Sequence, residues 1–363
     1  MTAYEKPQPY IIKAEERPER YARGWYVIGS SMSVGYKPRM LEVFGTKLVA
    51  YRGKEDGNVH ILDAYCPHMG GDLSDGEVCG NSVVCPFHKW SWGSDGVCND
   101  IPYAKKIPEK AVIKSWPSLE KSGLIFVWQD PENGEPIPEQ EPKKMDDWYS
   151  DAWTDWEMAA IPIASLGREL VDNMCDMAHF GPIHYTEVAS FMNTMEGHVF
   201  VQKMVGGHSI LTEGDESLIT SVATYEGPAY MTTTMTGMMD GHPMTVHLLV
   251  SHIPSDMGNF LINFGVMVKK AEGGTEVENK AMAEAYMEKN IESFQQDVAI
   301  WNNKCIIDNP LMCDGDGPIN LVRKWYSQFM TDVADISNDQ VKARDHVTVE
   351  GPSVEETIAK MAC

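Results

Sequence analysis

A polar run between Asn173 and His184 has the residue types of a metal site. It reads Asn-Met-Cys-Asp-Met-Ala-His-Phe-Gly-Pro-Ile-His. Asn173, Asp176 and His179 recur every three residues, so on a helix they would share one polar stripe. His184 follows five residues after His179, and an unbroken helix would point the two imidazoles apart.

Gly181 and Pro182 lie between those histidines and predict a break in the helix, because proline cannot continue the hydrogen-bond ladder. The chain could then turn and bring His184 back beside His179. Asp297 offers a third ligand, and two histidines with one carboxylate leave positions on an iron open for dioxygen. The alternative is a helix end with two hydrogen-bonded histidines. A second redox motif upstream argues against that alternative.

The upstream motif is Cys66-Pro67-His68 followed, after sixteen residues, by Cys85-Pro86-Phe87-His88. In a Rieske [2Fe–2S] centre two cysteines hold one iron and two histidines hold the other. Thiolates suit the iron that stays ferric, whereas neutral imidazoles raise the reduction potential. A structural zinc site is the alternative, but zinc fingers usually pair like ligands, as Cys-x-x-Cys and His-x-x-x-His. The mixed pairs favour the cluster.

Composition narrows the class of protein. A chain of 363 residues can bury a large core and form two domains. Its formal charge of −23 argues against a nucleic-acid partner, whose phosphates would be repelled. No apolar run reaches the length of a membrane span, and no signal-peptide pattern opens the chain. Eight cysteines, mostly scattered, suggest a reducing cytoplasm rather than a disulfide framework.

Short apolar segments predict a small β domain over roughly residues 21–130. Residues 1–20 are polar, contain three prolines, and should form an irregular arm. Residues 47–51 and 59–62 flank an Asp-Gly turn and predict a hairpin. Residues 124–128 are a further β-prone run.

A stretch rich in proline and glutamate, residues 131–144, marks the expected domain boundary. Residues 131–363 should then form a catalytic domain with an antiparallel sheet flanked by helices, which makes the whole chain α+β. The sheet is predicted from five alternating segments: residues 199–205, 218–225, 230–239, 244–251 and 260–268. Methionines are dense from 231 to 244, and they either fill the core or adapt to a bulky apolar ligand.

Residues 276–302 predict a long helix with one apolar stripe. The stripe has the four-three spacing of a buried helix face and consists of Met287, Ile291, Phe294, Val298 and Trp301. Asp297 lies at its edge, where a buried carboxylate is costly unless it meets a cation or a donor. An arginine or a metal would satisfy it, and His179 and His184 favour the metal. The tail beyond residue 335 should be loop-like with a short final helix.

Taken together, these motifs resemble the oxygenase component of Rieske non-haem iron oxygenases over nearly the whole chain. The resemblance is closer still to bacterial 3-ketosteroid 9α-hydroxylases. Arg-Lys-Trp-Tyr-Ser-Gln-Phe at 323–329 and Asp-Val-Ala-Asp-Ile at 332–336 are the most characteristic runs. Two positions depart from the steroid enzymes. Gly181-Pro182 replaces a bulky aromatic pair, which should widen a pocket near the iron, and Pro67 replaces a basic residue at the cluster.

The resemblance implies a β-type Rieske domain, a mononuclear Fe(II) centre, and a ring of three subunits. Electrons would pass from the cluster of one subunit to the iron of its neighbour. The implied cluster ligands are Cys66, His68, Cys85 and His88, and the implied ligands of the mononuclear iron are His179, His184 and Asp297. Asn173 and Asp176 are the implied catalytic residues, of which Asp176 matches the carboxylate that bridges the two centres in that family.

We therefore expect a terminal oxygenase that activates O2 with electrons from NADH. A separate flavin and iron–sulfur reductase, with or without a ferredoxin, would deliver them, since the chain has no glycine-rich dinucleotide fingerprint. The segment from Met231 to Gly265 has no lysine or arginine, which favours an apolar 3-ketosteroid over an aromatic acid. The expected reaction is monohydroxylation at ring carbon 9.

Two alternatives remain for the function. The first is an oxygenase acting on another apolar substrate, by hydroxylation at another sterol position or on an aromatic ring, or by demethylation. The second is an electron carrier with an appended binding domain. Iron content separates the second from an oxygenase, with about two irons per chain for a carrier and about three for an oxygenase.

Overall fold

The computed structural model describes residues 8–14, 18–208, 218–239 and 242–361. Residues 1–7 and 15–17 of the predicted arm lie outside this description. Its described part is irregular, as expected, except that Ala14 forms an isolated β-bridge with Ile307.

The first unit consists of short strands that form three antiparallel sheets and a two-stranded ribbon. The strands are β1 (Gly24–Ser30), β2 (Arg39–Val43), β3 (Thr46–Arg52), β4 (Val59–Asp63), β5 (Tyr65–Cys66), β6 (Gly71–Asp72), β7 (Glu77–Cys79), β8 (Ser82–Val84), β9 (Ser91–Trp92), β10 (Cys98–Asp100), β11 (Ser115–Trp116), β12 (Ser118–Lys121) and β13 (Leu124–Gln129). β3 pairs with β4 across the Asp-Gly turn, so the predicted hairpin is confirmed. The ribbon β5–β6 and the hairpin β8–β9 carry the two loops of the Cys–His motif.

The second unit is built on one antiparallel sheet of eight strands. In chain order they are β14 (Glu157–Ile163), β15 (Thr186–Glu196), β16 (Val199–His208), β17 (Ile219–Glu226), β18 (Tyr230–Met239), β19 (His242–Asp256), β20 (Asn259–Val268) and β21 (Arg344–Val349). Their order in the sheet is β14-β20-β19-β18-β17-β16-β15-β21. The five predicted strands are confirmed. β14, β15 and β21 were not predicted, and β21 corrects the expectation of a loop-like tail.

Helices cover one face of this sheet. They are α1 (Gly167–Cys175), α2 (Phe180–His184), α3 (Glu276–Trp301), α4 (Ile319–Tyr326), α5 (Asn338–Val341) and α6 (Val354–Met361). α3 begins at Thr275, where Thr275 and Glu278 form a reciprocal capping box. The predicted long helix and the short final helix are confirmed. Among the described helices, none is long and apolar enough to cross a membrane.

The large sheet is buried on both faces. Leu248 and Val250 of β19 belong to the cluster formed with the helices. Leu249, between them, belongs to a cluster with Trp25 and Trp128 of the first unit. Because successive side chains of a strand point to opposite faces, the consecutive apolar residues Leu248 to Val250 are buried on both faces.

The first unit is fixed to the sheet by hydrogen bonds as well as by apolar contacts. The Asn263 side-chain amide donates to the carbonyl of Val27 at 2.7 Å. The N–H of Phe44 donates to the carbonyl of Pro254 at 2.8 Å. The Cys–His loops lie at the other end of the first unit, in a separate cluster.

Candidate metal centres

Two similar turns present the Cys–His pairs of the first unit. In one, the N–H of Gly70 donates to the carbonyl of Cys66 at 2.9 Å, and in the other the N–H of Lys89 donates to the carbonyl of Cys85 at 3.1 Å. Both donors are left-handed, with φ of 74° at Gly70 and 61° at Lys89. Each of the two loops therefore folds back four residues after its cysteine, which keeps the intervening histidine close to that cysteine.

The two turns bring all four side chains of the motif together. The rings of His68 and His88 lie 4.5 Å apart between centroids. Cys66 and Cys85 are buried. The pKa of the Cys66 thiol is raised, first by burial and then, among other causes, by the neighbouring thiol of Cys85. Binding to a metal would deprotonate the thiol and remove that cost.

The site has the features of a cradle for a cluster. His68 Nδ1 is buried and has no hydrogen-bond partner among the described residues. A Cβ added at Gly71 would lie 2.7 Å from Cys85 Sγ, so only glycine leaves room beside that sulfur. The His68 ring stacks on Trp90 at 4.7 Å, which fixes its plane. Two thiols, two imidazoles and this space fit a [2Fe–2S] cluster.

The predicted helix break at Gly181-Pro182 is wrong. α1 ends at Cys175 and α2 begins at Phe180, so both residues lie in the first turn of α2. Proline is tolerated there because the first N–H groups of a helix have no acceptor within the helix. Gly181 and Pro182 are also exposed, and a Cβ at Gly181 would meet no atom within 4 Å.

The break lies at Asp176, whose ψ of 98° is extended. Asn173 is therefore in α1, Asp176 follows that helix, and His179 precedes α2, so the predicted single polar stripe is also wrong. The three side chains nevertheless line one cavity, of about 250 Å³. We call it the metal-side cavity.

His179, His184 and Asp297 converge beside this cavity. One potential ligand atom from each residue lies within 4.8 Å of the others. His184 Nε2 is 3.1 Å from Asp297 Oδ2, and the two imidazole centroids are 5.1 Å apart. Asp297 is only 4 % exposed. A buried carboxylate beside two imidazoles is the donor set of a non-haem Fe(II) site.

Hydrogen bonds select which ring nitrogens face this point. His179 Nδ1 lies 2.5 Å from the carbonyl of Asp176 and so carries its proton on that nitrogen. Ser293 Oγ lies 3.4 Å from His184 Nδ1. Both Nε2 atoms are therefore left for a ligand. Burial is the largest influence on the pKa of His179 and lowers it, which keeps the imidazole neutral for metal binding.

Asp176 is placed between His179 and the solvent. Its Oδ2 atom is 3.8 Å from His179 Nδ1, and its Oδ1 atom accepts from the N–H of Ala178 at 3.1 Å. Its side chain is 37 % exposed. One side of this carboxylate therefore faces a histidine of the triad while the other remains accessible.

A network of ion pairs around two buried carboxylates, Glu169 and Asp172, was not foreseen from the sequence. Arg323 Nη2 lies 2.7 Å from Asp172 Oδ2, and Lys304 Nζ lies 2.6 Å from Glu169 Oε2. Glu169 and Asp172 belong to α1, Arg323 to α4, and Lys304 follows α3. The network ties together three helices around the metal-side cavity. The four-residue spacing of Arg168 and Asp172 was the one signal for it.

Polar side chains also lie on the inner, helix-covered face of the sheet. Gln202 and Tyr225 are buried, and neither Gln202 Nε2 nor the Tyr225 hydroxyl has a hydrogen-bond partner among the described residues. Tyr225 belongs to one apolar cluster with Met231 and Trp301, and Trp301 also lines the metal-side cavity. Trp325 of α4 and Phe329, which follows that helix, belong to the same cluster.

Comparison with known proteins gives two family matches. Residues 127–330 match the family described as the 3-ketosteroid 9α-hydroxylase C-terminal domain, and residues 24–117 match the Rieske [2Fe-2S] domain. The first range contains all three residues of the His–His–Asp triad. The second contains all four residues of the Cys–His motif.

Relatives match over most of the chain. A 3-ketosteroid-9-alpha-monooxygenase oxygenase component of Rhodococcus rhodochrous is 43% identical over 333 residues, which cover 90% of this chain and 87% of the relative. A protein of the same name from Mycolicibacterium smegmatis is 41% identical over 330 residues, covering 89% and 86% respectively. Among solved structures, apo dicamba monooxygenase superposes with a TM-score of 0.64 at 18% identity, covering 84% of this chain and 96% of the other. That last likeness concerns the fold alone.

Proposed function

Because this chain belongs to the 3-ketosteroid 9α-hydroxylase family of Rieske oxygenases, we propose that it hydroxylates a 3-ketosteroid once, at ring carbon 9. The observation that carries the proposal is the family match over residues 127–330, which spans the triad and the inner face of the sheet. One oxygen atom of O2 would enter the substrate, and the other would leave as water.

The proposed ligands divide between the two centres. Cys66, His68, Cys85 and His88 would hold the Rieske cluster, and His179, His184 and Asp297 would hold the mononuclear iron. When bound, these groups supply electron transfer and dioxygen activation. The chain itself supplies the positions: the Asp176 carbonyl and Ser293 orient the two imidazoles, and burial keeps His179 neutral.

Asp176 and Asn173 are the proposed catalytic residues beyond the ligands. The Asp176 carboxylate faces His179 on one side and is accessible on the other. A cluster histidine of a neighbouring subunit could donate to that accessible side, which would join the two centres through hydrogen bonds. Asn173 lines the same cavity as Asp176. This arrangement favours a ring of three subunits in which each site is completed by its neighbour.

Buried side chains on the inner face of the sheet support the proposed substrate class. Gln202 Nε2 and the Tyr225 hydroxyl are buried donors with no acceptor among the described residues, and a ketone oxygen has two lone pairs that could accept from both. Met231 and Trp301 provide apolar surface in the same cluster. Apolar burial with few polar anchors suits a steroid ketone.

The electrons require a partner. We propose a separate NADH-dependent reductase with flavin and iron–sulfur groups, with or without a ferredoxin, in the cytoplasm. A cluster held by the Cys–His motif would lie near exposed side chains that include Met69, Phe87 and Tyr103. An apolar rim around a buried redox group suits docking of another protein.

The test is aerobic incubation of the enzyme, a reductase and NADH with steroid ketones, sterols and aromatic acids, with products analysed by mass and NMR. We expect one added oxygen on carbon 9 of a 3-ketosteroid. Oxygen added only to an aromatic acid would refute the substrate class and leave the oxygenase class standing. About two irons per chain, without product from any substrate, would support the electron carrier instead.

A further inference from the structure

Residues 102–110 form an exposed loop beside the Cys–His motif. The loop follows β10 and reads Pro-Tyr-Ala-Lys-Lys-Ile-Pro-Glu-Lys, and every residue in it is exposed. Ile101 and Ala111, which flank it, are buried in the apolar core that contains both cysteines of the motif. Both ends of the loop are therefore anchored next to the cluster site, while its side chains face solvent. We call it the lysine loop.

The lysine loop is basic although the chain as a whole is acidic. It carries three lysines, Lys105, Lys106 and Lys110, and one acid, Glu109, which gives a formal charge of +2, whereas the whole chain has −23. None of the three lysines forms an ion pair with a residue that the structure describes. A basic surface without partners in its own chain attracts an acidic surface on another molecule.

Side-chain contacts join the lysine loop to the Cys–His motif. The indole N–H of Trp90 donates to the hydroxyl of Tyr103 at 2.8 Å. The Trp90 ring stacks on the ring of His68, with centroids 4.7 Å apart and planes inclined by 11°. Tyr103 is 62 % exposed. It is therefore the outer end of a contact path whose inner end is a proposed ligand of the cluster.

This path reaches His68 from one face of its ring. A hydrogen bond from an imidazole leaves in the plane of the ring, at its edge. Trp90 covers a face of His68 and not that edge. A protein that docks on the lysine loop would thus leave the edge open for the Asp176 carboxylate of a neighbouring subunit.

We propose that the lysine loop is the docking surface for the electron-donating protein, and that the docking face of that protein is acidic. The inference rests on the proposed function, which requires such a donor. In each transfer the reduced flavin or iron–sulfur group of the donor loses one electron, and one ferric ion of the cluster becomes ferrous. The electron enters through Tyr103, Trp90 and His68.

The test is the rate at which a protein donor reduces the cluster of the iron-loaded enzyme, followed by stopped-flow absorbance. The probe is the NADH-dependent flavin and iron–sulfur reductase of the turnover assay. For Lys105→Glu/Lys106→Glu we expect the second-order rate constant at low ionic strength to fall at least about tenfold. The difference should shrink as salt is added, because salt screens the attraction.

Matched controls separate docking from other effects. Lys280→Glu/Lys289→Glu makes the same change of charge on exposed residues of α3 and should keep the wild-type rate. Dithionite is a small reductant that needs no docking surface, and it should reduce the cluster fully in both double variants. Gel filtration should give the wild-type oligomeric state for both.

Tyr103→Phe tests the path apart from the charge. It removes the hydroxyl that holds the Trp90 indole and leaves the three lysines in place. The limiting rate of reduction at saturating reductase should fall severalfold, while the reductase concentration that gives half of that rate stays the same. Tyr36→Phe, at another exposed tyrosine of the first unit, should change neither quantity. An unchanged limiting rate in Tyr103→Phe would overturn the path.

Three other results would overturn the docking surface. An unchanged reductase rate in Lys105→Glu/Lys106→Glu would do so and leave the proposed function standing. A changed oligomeric state in that variant would assign the lysine loop to contact with a second copy of the chain, whose segment 308–316 has three acids and no lysine or arginine. A wild-type cluster that dithionite reduces and the reductase does not would refute the proposed partner, and this surface with it.

Discussion

His179 and His184 present the same ring nitrogen to one point because their other nitrogens face the backbone of Asp176 and the hydroxyl of Ser293. Asp297 completes the set from a different helix. The carboxylate is nearly fully buried, and its Oδ2 atom lies 3.1 Å from Nε2 of His184. A cation between them would satisfy all three groups at once.

Replacing Asp297 with alanine should therefore release the mononuclear iron and leave the Rieske cluster intact. Iron should fall from about three to about two atoms per chain, with the visible spectrum unchanged and no product formed. Asp314→Ala, which removes an exposed acid, should keep all the iron. Full turnover by Asp297→Ala would remove this residue from the site.

Replacing Asp176 with asparagine tests the proposed role of this carboxylate in electron transfer between the two centres. Asparagine keeps the size and the backbone contact to His179 but removes the negative charge. We expect both metal sites to fill and the cluster to be reduced normally, while its reoxidation during a single turnover slows by at least about a hundredfold. Stopped-flow absorbance of the cluster measures this rate. An unchanged rate would mean that Asp176 only stabilises the local turn.

At the scale of elements, α3 carries two groups of the site on one face. Ser293 and Asp297 are one turn apart, and the capping box at Thr275 begins the helix that holds them. The ion pairs of Glu169 and Asp172 connect α1 with α4 and with Lys304, which follows α3, beside the metal-side cavity.

The capping box at the start of α3 should contribute to the stability of the protein. Thr275→Ala removes the side-chain acceptor for the N–H of Glu278 and should lower the free energy of unfolding by about 1 kcal/mol. Urea denaturation followed by tryptophan fluorescence measures the change. Thr275→Ser retains the hydroxyl and should lose much less. Equal losses in the two variants would assign the effect to the threonine methyl group instead.

The Cys–His pairs and the triad were identifiable because ligand chemistry restricts both residue type and spacing. The position of the helix break was not, since proline is unfavourable inside a helix yet acceptable in its first turn. β14 and β21 lie at the edges of the sheet, where pairing depends on distant strands rather than on a local apolar pattern. The burial of Gln202 and Tyr225 could not be predicted, because a single polar residue in an alternating strand does not show which face of the sheet it occupies.

The two proposed metal centres lie in different units of the molecule. The Cys–His loops lie in a cluster apart from the core around the triad, and Asp176 leaves one side of its carboxylate open. A ring of subunits would let the cluster of one chain meet the iron site of the next.

Co-expression of two inactive variants tests this arrangement. Cys85→Ser should lose the cluster and Asp297→Ala the mononuclear iron, so each alone should make no product. Mixed rings of both should regain part of the activity, because an intact cluster can sit beside an intact iron site of its neighbour. Mixing the two purified proteins without subunit exchange is the control. Mixed rings that remain inactive would place electron transfer within one chain.

The position of β21 at residues Arg344–Val349 bears on how the chain is made. β21 covers the edge of β15, a strand formed far earlier in the sequence. During synthesis, β15 has an uncovered edge until the last strand emerges from the ribosome. An open edge is a template for pairing with other chains, and contacts between distant segments form slowly. β21 is itself an edge strand, but its 6 residues expose a shorter edge than the 11 residues of β15. The nascent chain thus presents a longer open edge than the finished protein, and slower translation would prolong that exposure.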